Sequence, residues 1–383
     1  MLMLAVLVQA ASGIAPVPVS HVDDTETIVV LGRKLDDTKQ ALSDCIVNHC
    51  PPREEIARSL AYADTQFVAG DYQGSRRTLL TARRRNARYA ATLPVEVAGL
   101  HRANARLAGL NGLTESAQIG AYDAVDALKK GAPTDIAAIM LQRLEVGDSQ
   151  AKFGQINDAL GQYRHVAAQA RRAKLPSVEG MAMFRRAVLL SAVASVKSSY
   201  TAEARHAVAA INARPEPEFL PFRDGVRLMA VRLAAGKNKD AVIDKAAATL
   251  DRTGATQEPV VLYDPPIDMQ DAAFGVAAPS DAAQWADVTF RITPDGRVAD
   301  VSTLRTSVGL NQQWVDVATR SLRQRRYQPL GLPATAPGIV KAQRYSFVAD
   351  RAPASSQRSR ISVRSAVRRV DVVELTIQAP SKS

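Results

Sequence analysis

The sequence predicts an α+β protein in which an N-terminal all-α helical-repeat solenoid is followed by a small ββαβ domain. Helical periodicity recurs between breakers from residue 36 to residue 252, and the pattern changes to strand alternation near residue 285. Of the 383 residues, 46% are hydrophobic but only 5% are aromatic, and alanine dominates the apolar fraction. Because Ala has the highest helix propensity and packs closely, this composition favours helices over a large sheet.

The chain divides into segments whose compositions differ. Residues 253–284 contain several prolines and glycines without an apolar period, which predicts a linker. The tail carries seven basic and two acidic residues, and its part from 370 to 377 is apolar enough for one more strand. The predicted organisation is a signal-peptide-like leader (1–20), an extended segment (21–35), helical repeats (36–252), the linker (253–284), the ββαβ domain (285–350) and a basic tail (351–383).

The first eight residues form an apolar run that is too short to span ~30 Å of hydrocarbon. Small residues follow, with Ala10, Ala11 and Ala15 as candidate cleavage positions, so the run is typical of the apolar region of a signal peptide. The usual basic residues before it are missing, and a frayed N-terminus of a cytoplasmic protein is the alternative. We expect export to the periplasm without an integral membrane span, and an uncleaved leader would act as a weak membrane anchor.

Cys45 and Cys50 are the only two cysteines. In a continuous helix their Cα atoms would lie beyond the ~7 Å limit for a disulfide. Cys50 precedes Pro51 and is pushed out of helical geometry, so the chain can turn there. We predict a structural disulfide that ties two helices, consistent with an oxidising compartment. A metal site with His49 lacks a fourth ligand, and a redox pair is disfavoured because the spacing is not Cys-x-x-Cys.

The helical part begins with an apolar stripe that predicts an amphipathic helix. Ile56, Leu60, Ala63 and Phe67 fall at positions 0, 4, 7 and 11, which places them on one helical face. Gly70 closes this helix and a second one follows, so the two form a helical hairpin.

The hairpin repeats along the chain. A glycine followed five residues later by a small residue recurs at intervals of 42, 42 and 82 residues, which indicates a period of 41 to 42 with one unmarked unit near residue 195. The glycine allows a tight turn, and the small residue lets the second helix pack closely. The four pairs are Gly70 with Ser75, Gly112 with Ala117, Gly154 with Ala159 and Gly236 with Ala241.

Residues 70–72 (Gly-Asp-Tyr) and 154–163 resemble tetratricopeptide-type repeats, although the period exceeds the usual ~34 residues. The resemblance covers about 200 residues and implies a concave surface that binds proteins or peptides. A basic cluster could line that surface, and the alternative is a solvated helix face that pairs with acidic neighbours. The cluster consists of Arg76, Arg77, Arg83, Arg84, Arg85 and Arg88.

The second domain is predicted from a change of period. Residues 287–292 alternate polar and apolar side chains, as a strand with one buried face does. Pro294 and Gly296 suit a type I turn, and Asn311 can cap a helix. The predicted elements are a strand at 287–292, a strand at 297–304, a helix at 311–326 that carries Trp314, Ala318 and Leu322 on one stripe, and a third strand at 339–348.

This ordered series resembles the C-terminal domain of the TonB family over about 65 residues. The resemblance lies in 288–292 with 294–298, in 307–309, and in 318–327 with Pro329 and the final aromatic strand. It implies a periplasmic domain that binds extended segments of outer-membrane transporters, because an open sheet edge leaves backbone groups that an incoming strand can pair with. The predicted partner-binding residues lie on the third strand: Val340, Ala342, Arg344, Tyr345 and Phe347.

Two departures from that family shape the predicted function. TonB transducers carry an N-terminal membrane helix and a long proline-rich span, whereas this chain has a short leader and helical repeats. We therefore predict a non-enzymatic periplasmic adaptor or scaffold, with a membrane-anchored TonB-type energy transducer as the alternative. Residues 26–32 resemble the start of TonB-dependent transporters, and they could pair with the third strand within the chain or in a second copy, which would give a homo-oligomer.

The chemistry-bearing residues predict no enzyme. The five histidines form no His-x-x-x-His or His-Glu-x-x-His spacing, and no Gly-x-Ser-x-Gly elbow or phosphate loop is present. Catalysis by residues that meet only in three dimensions stays open. The net charge of +11 would suit a basic polyanion-binding envelope protein as a further alternative. We expect protein or peptide partners, no nucleic acid, no metal and no cofactor.

Overall fold

The computed structural model describes residues 34–234, 261–265, 284–353 and 362–375, together with the single residues 241, 259 and 267. Within these residues the protein is α+β, with an N-terminal helical region followed by a small antiparallel four-stranded sheet. The predicted leader, nearly all of the extended segment, most of the linker and the repeat glycine Gly236 lie outside the described residues.

Ten α-helices precede the sheet in the described part of the chain. Each packs mainly against the helix before it and the helix after it, so the helices form a stack of antiparallel hairpins. The helices are α1 (Leu35–Val47), α2 (Pro52–Val68), α3 (Tyr72–Asn86), α4 (Pro94–Leu110), α5 (Thr114–Gly131), α6 (Ile136–Lys152), α7 (Ile156–Arg172), α8 (Pro176–Ala194), α9 (Thr201–Asn212) and α10 (Leu220–Ala234).

The repeated glycines form the turns between paired helices. Gly70, Gly112 and Gly154 have φ values of +87°, +72° and +79°, a left-handed conformation that costs glycine little and other residues more. Asp71 begins the helix after the first turn, where its side chain accepts a hydrogen bond of 2.7 Å from the Gly74 amide. We call the side of the helical stack that carries these three turns the turn face.

The sheet follows the helices in the order β3-β2-β5-β6, with all neighbours antiparallel. The predicted ββαβ series is present, and a further strand, β6, joins its end from the part of the chain predicted as a basic tail. The elements are β1 (Val261–Tyr263), β2 (Gln284–Ile292), β3 (Val298–Thr306), α11 (Gln312–Arg323), β4 (Arg326–Tyr327), β5 (Ile339–Pro353) and β6 (Ser362–Glu374), with β1 and β4 pairing separately.

Both faces of the sheet are covered. One face packs its apolar side chains against α11, where Trp314 is fully buried and its indole N–H donates to Gln284 at 3.1 Å. The other face lies on the turn face, where Trp285 packs with the helical core. Strand β2 is therefore buried on both sides, although its alternating sequence predicts a single buried face.

Candidate functional site

The predicted partner-binding strand is β5, and it does not have the free edge that the prediction requires. β5 pairs with β2 on one side and with β6 on the other, so that Tyr345 lies opposite both Ala286 and Val372. Strand β6 occupies this edge from Pro353 back to Gln343. A partner strand therefore cannot add along that stretch unless β6 leaves.

The five predicted residues divide between the two faces of the sheet. Tyr345 is buried, and Phe347 stacks on Trp314 with ring centroids 5.6 Å apart, so both belong to the core beneath α11. Val340 and Ala342 are half-buried and pair with β2. Arg344 points to the opposite face, into the contact with the helical stack. All five side chains were predicted to meet a partner, but in the structure all five serve the protein's own packing or pairing.

Arg344 joins the sheet to the end of α2. Its side chain is fully buried, pairs with Asp287 at 2.6 Å, and donates to the carbonyl oxygens of Phe67 and, at 2.8 Å, of Val68. Its guanidinium also lies 3.9 Å from the ring centroid of Trp285. The carbonyl end of a helix carries partial negative charge and lacks partners for its last oxygens, so a cation there is stabilising.

Arg369 of β6 makes an equivalent contact one hairpin further along the stack. It donates to the Gly109 carbonyl near the end of α4 at 2.7 Å and pairs with Asp350 and Asp371. Lys152, at the end of α6, also reaches Asp371 at 2.9 Å. Burial raises the pKa of Asp371, but Lys152 and Arg369 outweigh it, so that the carboxyl's pKa falls below its usual range.

The sheet covers the first two repeated turns but leaves the third open. A side chain added at Gly70 would lie 2.7 Å from the Trp285 ring, and one added at Gly112 would collide with the Ala349 carbonyl oxygen. A side chain at Gly154 would meet nothing within 4 Å. The three turns share one backbone conformation, yet only two of them are part of the docking surface.

Strand β3 is the open edge of the sheet. Among the described residues no strand pairs with its outer side, and residues 302–306 are exposed. Leu304 is 49% exposed and Val308, just beyond the strand, is 99% exposed. Two irregularities interrupt the register between β2 and β3, as is common at sheet edges. The outer side of β3 is therefore the surface where a strand can add.

The two cysteines are close enough to bond, as predicted. The sulfur atoms of Cys45 and Cys50 lie within disulfide distance, with Cα atoms 5.0 Å apart. The turn depends on His49, whose φ of +50° reverses the chain after α1, and not on the proline alone. Within the described residues, no group of three His, Cys, Asp or Glu side chains could hold a metal ion, so the geometry gives the metal alternative no support.

Part of the predicted basic cluster pairs with acidic neighbours. Arg85 contacts Glu55 at 2.5 Å and Arg83 contacts Asp123 at 3.6 Å. These ion pairs fit the alternative of a solvated face with acidic neighbours better than a surface reserved for a protein or peptide partner.

A perturbed carboxyl lies inside the helical stack. Burial raises the pKa of Asp148 to about 6, against the opposing effect of Arg185, which lies 3.3 Å away. The Tyr163 hydroxyl donates to the same carboxylate at 2.7 Å. The group has no nucleophile or cavity beside it in the contacts that hold it, so we assign it to helix packing.

No protein-family model matches this chain, and no curated protein matches it. The resemblances to the tetratricopeptide and TonB families therefore depend on the residue patterns alone. Of the helices described, none combines the length and the apolar character needed to cross a membrane.

Proposed function

We propose that this protein is a non-enzymatic adaptor of the bacterial envelope that binds an extended protein segment along the outer edge of β3. The observation that carries the proposal is this edge, whose backbone groups face outward on a sheet that Arg344 and Arg369 hold to the helical stack by hydrogen bonds to helix carbonyls. A strand that adds there gains main-chain hydrogen bonds, which is a recurrent mode of peptide recognition.

The expected affinity is modest. Four or five added hydrogen bonds, each worth ~1 kcal/mol net, are offset in part by the entropy of association. Two features of the edge increase the affinity: it is already ordered, and Leu304 and Val308 offer exposed apolar side chains to a partner. Partner selectivity would then depend on apolar side chains at alternate positions of the bound segment.

The envelope location and the family assignments belong to the proposal. A cysteine pair at disulfide distance suits an oxidising compartment such as the periplasm. The stack of hairpins would act as a tetratricopeptide-like scaffold and the sheet as a TonB-like module. The resemblance places the partner on the third predicted strand, which is β5, but β6 already pairs with β5. The partner would therefore bind at the opposite edge of the sheet, along β3.

The test is capture of envelope proteins by the full chain and by Thr306→Pro. Ser307 bonds β2 through its amide, and alternation along the strand directs the Thr306 amide outward, so proline there blocks the outer edge while β2 pairing stays. Ala334→Pro, in an exposed turn, is the matched control.

We expect the natural chain and Ala334→Pro to recover the same protein, and Thr306→Pro to recover at least about tenfold less. Equal recovery by all three chains would assign binding to the helical surface and refute the role of the edge.

A further inference from the structure

The helical stack has a second end, which lies away from the sheet. Neighbouring helices are antiparallel, so their connections alternate between two ends, and the sheet docks on the turn face. We call the opposite end the loop face. A partner that binds there leaves the sheet and the β3 edge accessible. The loop face carries the connections 48–51, 87–93, 132–135, 173–175 and 213–219, together with the helix ends that they join.

Exposed cations on the loop face outnumber the carboxylates left to pair with them. Some basic residues here have acidic partners, as Arg171 has Glu179 at 2.7 Å. Within the described residues, five exposed cations of this face make no ion pair: Arg84, Arg88, Lys130, Arg172 and Lys174. Three exposed carboxylates of this face also make none: Asp44, Asp135 and Glu218.

Helix electrostatics explains where most of these cations lie. The helices α3, α5 and α7 all end in basic residues, and a cation in the last turn is stabilised by the partial negative charge of the helix C-terminus. Because these three helices end on the same face, their cations also sum to a positive field at one end of the molecule. Such a field attracts an anionic partner.

Exposed apolar side chains accompany the cations. Val47, Val95, Ile136 and Leu220 are between 47% and 71% exposed, and each is one of the first or last two residues of its helix. They belong to four different helices, α1, α4, α6 and α10. Separate apolar side chains among cations suit the headgroup layer of a membrane, which each can enter independently. A protein interface instead buries a continuous apolar core.

An open apolar groove of about 430 Å³ lies on the same face, between the start of α6 and the end of α7. Ile136 and Ile139 line it together with two arginines. Arg143 donates to Gln169 at 2.7 Å, whereas Arg172 is exposed and makes no ion pair in the described part of the chain. An apolar groove beside an available guanidinium fits an amphiphile with an anionic head, because Arg binds phosphate oxygens in bidentate geometry.

We propose that the loop face binds the surface of a membrane that contains anionic phospholipids. The cations contact the phosphate headgroups, the exposed apolar side chains enter the interfacial layer, and the groove between α6 and α7 receives the apolar part of one lipid. Each Lys or Arg close to an anionic surface raises the affinity about fivefold, so three such residues together contribute about a hundredfold.

Binding by the loop face would hold the sheet away from the lipid. The helices that separate the two ends have about 17 residues, as α4 and α6 do, and span about 25 Å at about 1.5 Å per residue. The β3 edge would therefore stand at about this distance from the headgroups, where a partner strand can reach it. Membrane binding does not itself require the edge.

Co-sedimentation of the full chain with vesicles tests the proposal. We expect binding to vesicles of equal parts phosphatidylcholine and phosphatidylglycerol, and much weaker binding to phosphatidylcholine alone. Lys130→Gln/Arg172→Gln/Lys174→Gln removes three exposed cations beside the groove and should lower the affinity about a hundredfold. Equal binding to the two kinds of vesicle would overturn the proposal.

The matched control is Lys39→Gln/Arg77→Gln/Arg320→Gln, which changes the net charge by the same amount. Lys39 and Arg77 lie near the starts of α1 and α3, towards the turn face, and Arg320 lies on α11. All three are exposed and make no ion pair within the described residues. This variant should lose less than about threefold, because it keeps the loop face intact. Equal losses in both triple variants would show that only the net charge matters, which would overturn the proposal.

Quenching by brominated lipids locates the contact. An indole introduced by Ile136→Trp, at the groove, should be quenched in vesicles of brominated phosphatidylglycerol. The control, Ile119→Trp, places an indole at an exposed position in the first half of α5, towards the turn face, and should not be quenched. The natural tryptophans lie in the sheet domain and give the same background in both variants. Quenching in the control, or in neither variant, would overturn docking by the loop face.

Two outcomes separate this proposal from its alternatives. If polyphosphate binds through Lys130, Arg172 and Lys174 while vesicles do not bind, the loop face recognises a soluble polyanion and membrane docking is refuted. If vesicles bind through these residues but Thr306→Pro captures its partner as well as the natural chain does, the loop face stands and the proposed role of the β3 edge falls.

Discussion

The two faces of the sheet are held by different kinds of contact. Beneath α11, most of the buried groups are apolar and include Trp314 and Phe290, and one buried arginine, Arg325, pairs with Asp264 at 2.7 Å. On the turn face, the buried groups are arginines paired with aspartates and with helix carbonyls, centred on Arg344 and Arg369. An apolar face excludes water almost regardless of partner, whereas a buried ion pair is stable only if every charge finds its partner. The face beneath α11 forms the core of the small domain, and the face with Arg344 and Arg369 fixes the position of that domain on the helical stack.

The chain carries a natural probe for each face. Its two tryptophans lie on opposite sides of the sheet, Trp314 beneath α11 and Trp285 against Gly70. Replacing either one with Phe leaves the other as the sole indole fluorophore, so the two faces can be followed separately.

The largest expected effect comes from Arg344→Ala. This change leaves Asp287 buried with only the half-exposed Arg305 as a partner and removes the donor to two helix carbonyls, so we expect a loss of about 3–5 kcal/mol in docking. In a Trp314→Phe background, Trp285 emission should shift to the red. The matched change, Arg305→Ala, removes the exposed partner of the same carboxylate and should cost at most about 1 kcal/mol.

The reciprocal background shows whether the faces are separable. In Trp285→Phe, Arg344→Ala should leave Trp314 emission unchanged until the small domain itself unfolds in denaturant. Simultaneous red shifts of both reporters would show one cooperative unit and would remove the distinction between the faces.

The repeat glycines give the next largest effect, and they compare covered turns with an open one. Alanine at Gly70, Gly112 or Gly154 incurs a similar left-handed backbone strain of about 1–2 kcal/mol. At the first two positions it also collides with the docked sheet, which should add about 1–3 kcal/mol. Urea unfolding of the three variants measures the difference, and equal losses would contradict docking at the first two turns.

The smallest effect is a difference in pH dependence between the helical core and the docking face. The folded pKa of Asp148, about 6, exceeds its ordinary value of 3.8, so the stability from its protonated form is complete below pH 4 and lost as pH rises to about 6. For Asp371 the folded pKa is lowered, so its stabilising effect is present above pH 3.8 and is lost as the pH falls further.

We therefore expect the stability of the natural chain, relative to Asp148→Asn, to fall by about 2 kcal/mol between pH 4 and pH 7. Relative to Asp371→Asn, it should stay constant over that range. Urea midpoints of the three chains at several pH values check both signs. A flat difference for Asp148→Asn would show that its carboxyl titrates normally in the folded protein.

Local patterns predicted the elements that depend on local physics. The glycines at 70, 112 and 154 mark turns with positive φ, and Asn311 caps α11 by accepting from the Gln313 amide at 3.0 Å. The α+β division could be predicted because the apolar spacing changes from a helical period to strand alternation near residue 285, and this spacing indicates which face of an element is buried. Boundaries were less exact, since α11 ends at Arg323 and the residues just after it form β4.

The docking face escaped prediction because its residues are polar. Arg369 in the tail and Arg344 in the third strand read as solvated or partner-facing side chains, and their burial depends on helices about 260–277 residues away in sequence. One signal was present: Asp287 and Arg344 carry opposite charges in two predicted strands of the same small domain. Opposite charges on two strands of one sheet suggest an ion pair, but the sequence does not indicate which helix carbonyls the arginine also contacts.

The match between strands and helix ends restricts how this protein can gain or lose repeats. Inserting a hairpin between α3 and α4 would move Gly112 away from Ala349 and Gly109 away from Arg369, because both contacts require one fixed separation between neighbouring turns. The Gly154 turn has no such contact. Gain or loss of a hairpin is therefore expected to be excluded between α2 and α6, whose ends contact Arg344, Arg369 and Asp371, so the sheet sets a minimum length for the stack.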